Sequence, residues 1–278
     1  MPTPIPPRLH VLLARDSRMA VVIRRGPSKA VAVIGWDRAT DRFEVGQWFR
    51  GRIYERRCDL SPDGRHLVYF AMNGQWQLEV LGSWTAVSRA PYLKALGIWP
   101  KGDCWNGGGL FVNNHEFWLN DGPLRHQTMH EAPGITRRRE CPVPGGAYGG
   151  ECPGVYYPRL QRDGWMLIDH APDGAGGDVA HFTKRVDDDW SLHKFAHETL
   201  ARRAGRGCYF DEHSLVNEAT NVVAAHPEWE WAEVDGARLV WAADGKIFGG
   251  VIGRDDVTSV TELFDGGSVS HERIRAPY

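Results

Sequence analysis

The stretch LSPDGRHLVYF, residues 60–70, contains a turn signal at residues 61–64 followed by an apolar run at residues 67–70. Proline presets the backbone for the first corner of a tight turn, and glycine tolerates the positive φ that often completes it. The apolar run has the β-branched and aromatic character of a short strand. This stretch therefore predicts a β-hairpin.

The same strand, turn and strand pattern recurs along the chain, at residues 10–26, 58–70, 103–114, 156–169 and 231–252. With Asp16, Asp63, Gly107, Asp163 and Asp235 as markers, the intervals are 47, 44, 56 and 72 residues. A four-stranded propeller blade takes about 40–50 residues. We predict an all-β chain forming a β-propeller of five four-stranded blades, with six blades as the alternative and residues of about 200–228 as an insertion.

The segment LSPDGRHLVY also resembles the repeat of TolB-like and WD-repeat β-propellers. That resemblance implies that the turn joins the innermost strand of a blade to the second strand. It implies a fold and no activity, because one fold hosts many functions. We expect a single domain over residues 1–278, with residues 1–7 as a proline-rich extended leader. We expect the ring to be closed by pairing of residues 8–14 with a strand within residues 258–275.

The composition of the chain limits the classes of partner that we expect. The formal net charge of -2 predicts no general attraction to nucleic acid, and we interpret the longest basic run, Arg137–Arg139, as a solvated loop. No apolar run is long enough to span a membrane. The five cysteines are scattered without C-x-x-C spacing, which favours a reducing, cytoplasmic location over a disulfide framework or a zinc site. No nucleotide-binding or nucleophile motif occurs, so we expect no cofactor.

Candidate ligand-binding residues come from aligning three repeats on the apolar residue before each turn. The aligned positions bring together two sets, Asp59, Arg159 and Glu233, and two residues earlier Arg57, Tyr157 and Trp231. Because side chains of a strand alternate between its faces, each set is predicted to share one orientation around the channel. The alternative is that the charged set forms a structural ion network.

Polar clusters in predicted loops provide further candidates. Asp211, Glu212 and His213 fall in the predicted insertion, where functional residues are often found. His126 and His130 lie four residues apart, a spacing that suits a metal when it occurs on a helix. No helix is predicted there, and we expect no bound metal.

Three functions compete. The first is a non-catalytic platform that binds a protein partner or a small ligand at one face of the channel. The second is a hydrolase resembling glycoside hydrolases, with Glu233 as the acid and Asp59 as the base or nucleophile, which requires carboxyl groups about 5–10 Å apart. The third is a metal-dependent reaction that uses His126, His130 and residues 211–213.

Overall fold

The computed structural model describes residues 5–26, 29–122, 125–143, 148–149, 151–174, 176–199 and 207–278. Regular structure in this part of the chain is mostly β-strand, and the strands form five sheets that follow one another in sequence. Five consecutive small sheets are the arrangement of a five-bladed β-propeller. The predicted fold class is confirmed, with five blades and not six.

Each sheet is assembled from neighbouring strands. The first contains β1 (Arg8–Leu13), β2 (Met19–Arg25), β3 (Ala30–Asp37) and β4 (Arg42–Arg50). The second contains β5 (Arg52–Ile53), β6 (Asp59–Leu60), β7 (His66–Met72), β8 (Ser83–Arg89) and β9 (Ala95–Pro100). The third contains β10 (Gly109–Asn113), β11 (Glu116–Leu119) and β12 (Thr136–Arg138). The fourth contains β13 (Met166–Pro172), β14 (Gly177–Arg185), β15 (Trp190–Thr199), β16 (Tyr209–Asn217) and β17 (Val223–His226). The fifth contains β18 (Trp231–Asp235), β19 (Arg238–Ala243), β20 (Lys246–Ile252) and β21 (Val257–Asp265).

The number of strands varies more than the repeat pattern predicts. Only the first and fifth sheets have the expected four strands, whereas the third has three among the described residues. In the third sheet β12 runs parallel to β11, with Glu116 opposite Thr136 and Trp118 opposite Arg138. This parallel edge strand is the most irregular part of the fold and positions the candidate site.

The turn at residues 61–64 forms as predicted. Asp59 pairs with Val68 and Leu60 with Leu67, so β6 and β7 make an antiparallel hairpin. Gly64 has a φ of +75° and its N–H donates to the Ser61 carbonyl at 2.8 Å. The Ser61 hydroxyl donates to the Asp63 carboxylate at 2.6 Å. The stretch at residues 60–70 therefore forms a hairpin whose turn is held by its own hydrogen bonds.

The fourth predicted repeat is wrong in its first half. Residues predicted as an inner strand form a helix, α1 (Pro153–Arg162), which places Tyr157 and Arg159 on a helix and not on a channel-lining strand. The whole run Pro153–Leu160 is buried. A continuous buried run does not distinguish a strand from a buried helix by its periodicity, and Pro153 at the start presets the helical φ.

The terminal strands pair within their own sheets. β1 pairs with β2, and β21 pairs with β20, so the predicted pairing of residues 8–14 with residues 258–275 is wrong. The amino-terminal segment instead contacts the fifth sheet by other means. The Leu9 N–H donates to Glu230 Oε1 at 2.9 Å, and Pro7 packs so closely on Gly245 that a Cβ there would lie 2.7 Å from Pro7 Cδ.

The segment of about 200–228 contains regular structure. Residues 209–217 and 223–226 are β16 and β17 of the fourth sheet, and residues 200–206 lie outside the described part of the chain. Part of the long interval between the last two sequence markers is therefore occupied by two further strands of the fourth sheet, β16 and β17.

The chain divides into two compact units, Met1–His10 with Gly164–Val269, and Val11–Asp163 with Ser270–Tyr278. In the first unit the Trp229 indole stacks between the His226 ring at 3.8 Å and the Trp241 ring at 4.7 Å. In the second unit aliphatic and aromatic side chains of the first two sheets form one buried cluster.

Within the described residues, no helix is long and apolar enough to cross a membrane.

Candidate functional site

Asp59 is buried in an ion pair. Its carboxylate receives Arg162 Nη1 at 2.5 Å and Nη2 at 2.8 Å, and it also accepts the Phe111 N–H at 2.7 Å. The side chains of Asp59 and Arg162 are only 3% and 10% exposed. Asp59 therefore ties together β6, β10 and the carboxyl end of α1.

Arg57 is likewise a buried charged residue that is engaged by other groups of the protein. It lies in a 3₁₀ turn, Glu55–Arg57, and not on the strand that the alignment predicts. Its Nη1 donates to the carbonyls of Cys104 and Asn106 at 2.7 and 2.5 Å, and its guanidinium lies 4.7 Å from the Tyr54 ring centroid. Only 1% of Arg57 is exposed, so its buried side chain holds in place the loop that contains Cys104 and Asn106.

The two helical candidates are also buried. Arg159 donates to the carbonyl of Cys58, and the Tyr157 ring meets the Tyr148 ring edge to face at 5.3 Å. Arg159 is 5% exposed and Tyr157 is fully buried. Both side chains pack α1 into the second unit.

Glu233 and Trp231 lie on β18, where the sequence places them on one strand. Glu233 accepts Lys184 Nζ and the Trp165 indole N–H, both at 2.8 Å, and Trp231 is 5% exposed. The two carboxylates of the hydrolase hypothesis, Asp59 and Glu233, are thus each occupied by a cation and by N–H donors. This arrangement favours the structural ion-network interpretation for each of them.

Residues 211–213 lie on β16 and alternate between its two faces. Asp211 is buried beside Lys194, with 4.0 Å between the charged atoms, and Glu212 lies 3.3 Å from His197 on the other face. His213 Nδ1 is 2.8 Å from a backbone carbonyl oxygen in the loop after β17. These three side chains therefore do not converge on one point.

The histidine spacing does not produce a metal centre. His126 and His130 lie outside any helix, and His130 forms an isolated bridge with Ile98. Among the residues that the structure describes, no group of three His, Cys, Asp or Glu side chains is arranged to hold a metal ion.

A cavity of about 410 Å³ lies beside the parallel edge strand of the third sheet, wholly within the second unit. One wall is the end of β11 and the loop that follows it, including Trp118, Asn120 and Asp121. The adjacent strand β12, which is held in parallel register by pairing of Phe117 with Arg137, contributes Arg137 and Arg138 to the lining. The parallel pairing thus brings these arginines beside the end of β11.

The cavity is strongly basic. Four arginines are among its lining residues, Arg125, Arg137, Arg138 and Arg139, against one acidic residue, Asp121. In the part of the chain that the structure describes, none of the four forms an ion pair with a carboxylate. Clustered guanidiniums repel one another and attract anions, and each presents planar N–H donors suited to a carboxylate or a phosphate.

His126 rigidifies the loop that follows β11. Its Nδ1 lies 2.8 Å from Asp121 Oδ1, its Nε2 lies 3.1 Å from the Thr85 hydroxyl, and that hydroxyl accepts the Gly108 N–H at 2.8 Å. Because Thr85 accepts from Gly108, we infer that its own proton goes to Nε2 and that the imidazole proton lies on Nδ1. Burial lowers the pKa of His126, and the nearby Asp121 carboxylate opposes that shift only in part. The ring is therefore a neutral structural element.

Asn120 supplies the second unusual feature of the cavity. The residue is 6% exposed, and its Oδ1 accepts the Asn106 side-chain N–H at 3.5 Å. Its Nδ2 is buried and has no hydrogen-bond partner among the described residues. A buried donor left without an acceptor costs about 1–3 kcal/mol. The Nδ2 atom lies on the side of Gly154 in α1, where a Cβ at Gly154 would be 3.5 Å from it.

The sequence reasoning missed this site. Arg137–Arg139 were interpreted as a solvated loop, although Arg137 and Arg138 are half-buried strand residues. The available signal was the basic run itself, which is the longest in the chain. The residues selected from the strand alignment, Arg57, Tyr157, Arg159 and Trp231, do not line the cavity.

Comparison with known proteins adds no family assignment: no family model matches the chain, and no curated protein matches it significantly.

Proposed function

We propose that this protein is a non-catalytic binding protein for a small organic anion, which it holds in the basic cavity of the third sheet. The observation that carries the proposal is the set of four guanidiniums without a carboxylate partner among the described residues, around about 410 Å³ of space. Small-molecule sites have volumes of about 300–1,000 Å³. This is the small-ligand form of the binding-platform hypothesis.

Charge supports an anionic ligand. Four guanidiniums and one carboxylate give a formal charge of about +3 around the cavity when His126 is neutral. Each hydrogen bond from a guanidinium to an anion contributes about 1.5–3 kcal/mol.

The imidazole and the carboxylate on the cavity lining, those of His126 and Asp121, are hydrogen-bonded to each other, which supports binding without chemistry. Both ring nitrogens of His126 are engaged, and Asp121 Oδ1 accepts both the His126 backbone N–H at 2.6 Å and the ring N–H. Guanidiniums remain charged and do not transfer protons at ordinary pH. We place the binding in the cytoplasm, which the five free cysteines support.

The test is calorimetric titration with citrate and with inorganic phosphate, using wild type and the Arg138→Met variant. Methionine keeps an unbranched apolar stem and removes the charge. We expect affinity to fall about 10-fold or more, the equivalent of one charge-assisted hydrogen bond. Arg254→Met, at an exposed position in the turn between β20 and β21, is the control and should bind as wild type does. The proposal is wrong if neither anion binds wild type, or if both variants weaken binding equally.

A further inference from the structure

An exposed tryptophan, Trp105, precedes Asn106, whose side chain contacts residues that line the basic cavity. Trp105 is 55% exposed, whereas most other tryptophans of the chain are buried. A large apolar ring kept in solvent often marks a contact surface. Its position relative to the cavity indicates which surface that is.

The turn that carries Trp105 is rigid. The Trp105 N–H donates to Asp103 Oδ1 at 2.9 Å, and the carbonyls on either side, of Cys104 and Asn106, both accept from the buried Arg57 guanidinium. One fully enclosed cation therefore fixes the backbone both before and after the tryptophan. The indole is exposed without being on a loose loop.

The same turn is packed against the cavity wall. Asn106, the next residue, donates from its side chain to Asn120 Oδ1 at 3.5 Å, and Asn120 lines the cavity. Gly122, another lining residue, approaches so closely that a Cβ there would lie 2.3 Å from Asn106 Oδ1. Trp105 is therefore one residue away from Asn106, whose side chain contacts the cavity lining, and consecutive Cα atoms are about 3.8 Å apart.

We propose that the ligand is an organic anion bearing a flat ring, whose charged group binds among the arginines while its ring stacks on Trp105. This inference rests on the proposed function and specifies the ligand class. Indole faces stack well on planar rings and discriminate little between them, so Trp105 supplies affinity for the ring and the arginines supply affinity for the charge. A phosphate and a carboxylate both present charged oxygens that accept hydrogen bonds from guanidinium N–H groups, so both types of anion are tested.

The experiment compares matched pairs of probes by calorimetry. AMP is paired with ribose 5-phosphate, and indole-3-acetate with acetate, so that each pair differs by the ring. We expect the ring to improve affinity about 10-fold or more in at least one pair. The pair that shows the larger gain identifies the anion as phosphate or carboxylate. Adenosine, which has the ring without the charge, should bind weakly.

The variant Trp105→Ala should abolish the gain from the ring and leave the affinity for the ringless anion within about twofold of wild type. Trp105→Phe should restore most of the gain. Trp76→Ala is the control, because Trp76 is 49% exposed but packs on Gly82.

The outcomes separate the two proposals. If ringless anions bind and the ring adds nothing, or Trp105→Ala leaves the ring gain intact, this inference is overturned while anion binding stands. If no anion binds wild type, the proposed function itself fails. If a single-stranded oligonucleotide binds over tenfold more tightly than AMP and the affinity falls steeply with salt, the small-ligand class is wrong.

Discussion

Removal of the charge at Arg162 is expected to destabilise the second unit more than any exposed substitution. Methionine retains the apolar part of the side chain but removes two of the three N–H groups that the buried Asp59 carboxylate accepts, leaving only the Phe111 N–H at 2.7 Å. Breaking one partner from a buried ion pair costs about 3–5 kcal/mol. That is a large share of the roughly 5–15 kcal/mol that stabilises a whole domain.

The assay is urea unfolding followed by fluorescence, with the double variant Asp59→Asn with Arg162→Met completing a cycle. The double variant does not leave a charged Asp59 carboxylate without Arg162, whereas Asp163 loses the same partner in every variant that lacks Arg162. We therefore expect the double variant to be more stable than the sum of the single variants predicts, by at least about 1 kcal/mol. Arg18→Met is the control. Arg18 pairs with Asp37 at 3.1 Å but is 66% exposed, so its loss should cost under about 1 kcal/mol. A loss equally small for Arg162→Met, or additive effects in the cycle, would refute the reasoning.

Three further predictions concern stability. His181 Nε2 and His193 Nδ1 lie 2.8 Å apart, and burial lowers the pKa of both rings, so the folded state binds fewer protons than the unfolded state. Stability should be fully present above about pH 6.5 and fall below it, and His193→Gln should reduce this slope in urea titrations at several pH values. Tyr278→Ala should lower stability by about 1–2 kcal/mol in the same assay, because the phenol accepts the Arg89 N–H at 3.0 Å and donates to the Lys94 carbonyl at 2.7 Å. Deletion of residues 259–278 removes most of β21 and should abolish cooperative unfolding; unchanged melting would contradict it.

The sheets were predictable because their determinants are local. A Pro-Asp-Gly turn between apolar runs specifies a hairpin within about ten residues, as at β6 and β7. Asp16 likewise lies between β1 and β2, and Asp235 is the last residue of β18, directly before the turn into β19. Repetition of that local signal was sufficient for the fold class, whereas the number of strands in each sheet depends on long-range pairing.

The candidate cavity was not predictable because its determinants are not local. Its lining combines β11 and the residues after it with β12, and no turn signal in the sequence encodes the parallel pairing of β12 with β11. Asn120 carries no sequence signal, and the basic run around Arg138 does not indicate which strand it joins. The strand alignment failed for Arg159 for a related reason: the buried run before Asp163 suits a helix as well as a strand.

The contact between Leu9 and Glu230 has a consequence for synthesis on the ribosome. The two residues are 221 positions apart, and at about 5–20 residues per second the chain needs roughly 10–45 s to produce the second partner. The other compact unit similarly includes Ser270–Tyr278. One unit lacks residues until Val269 has been synthesised and the other until Tyr278 has been, so the nascent protein carries incompletely covered sheets up to those points. Holdase chaperones that shield such surfaces should therefore increase the yield of folded protein more than faster translation does.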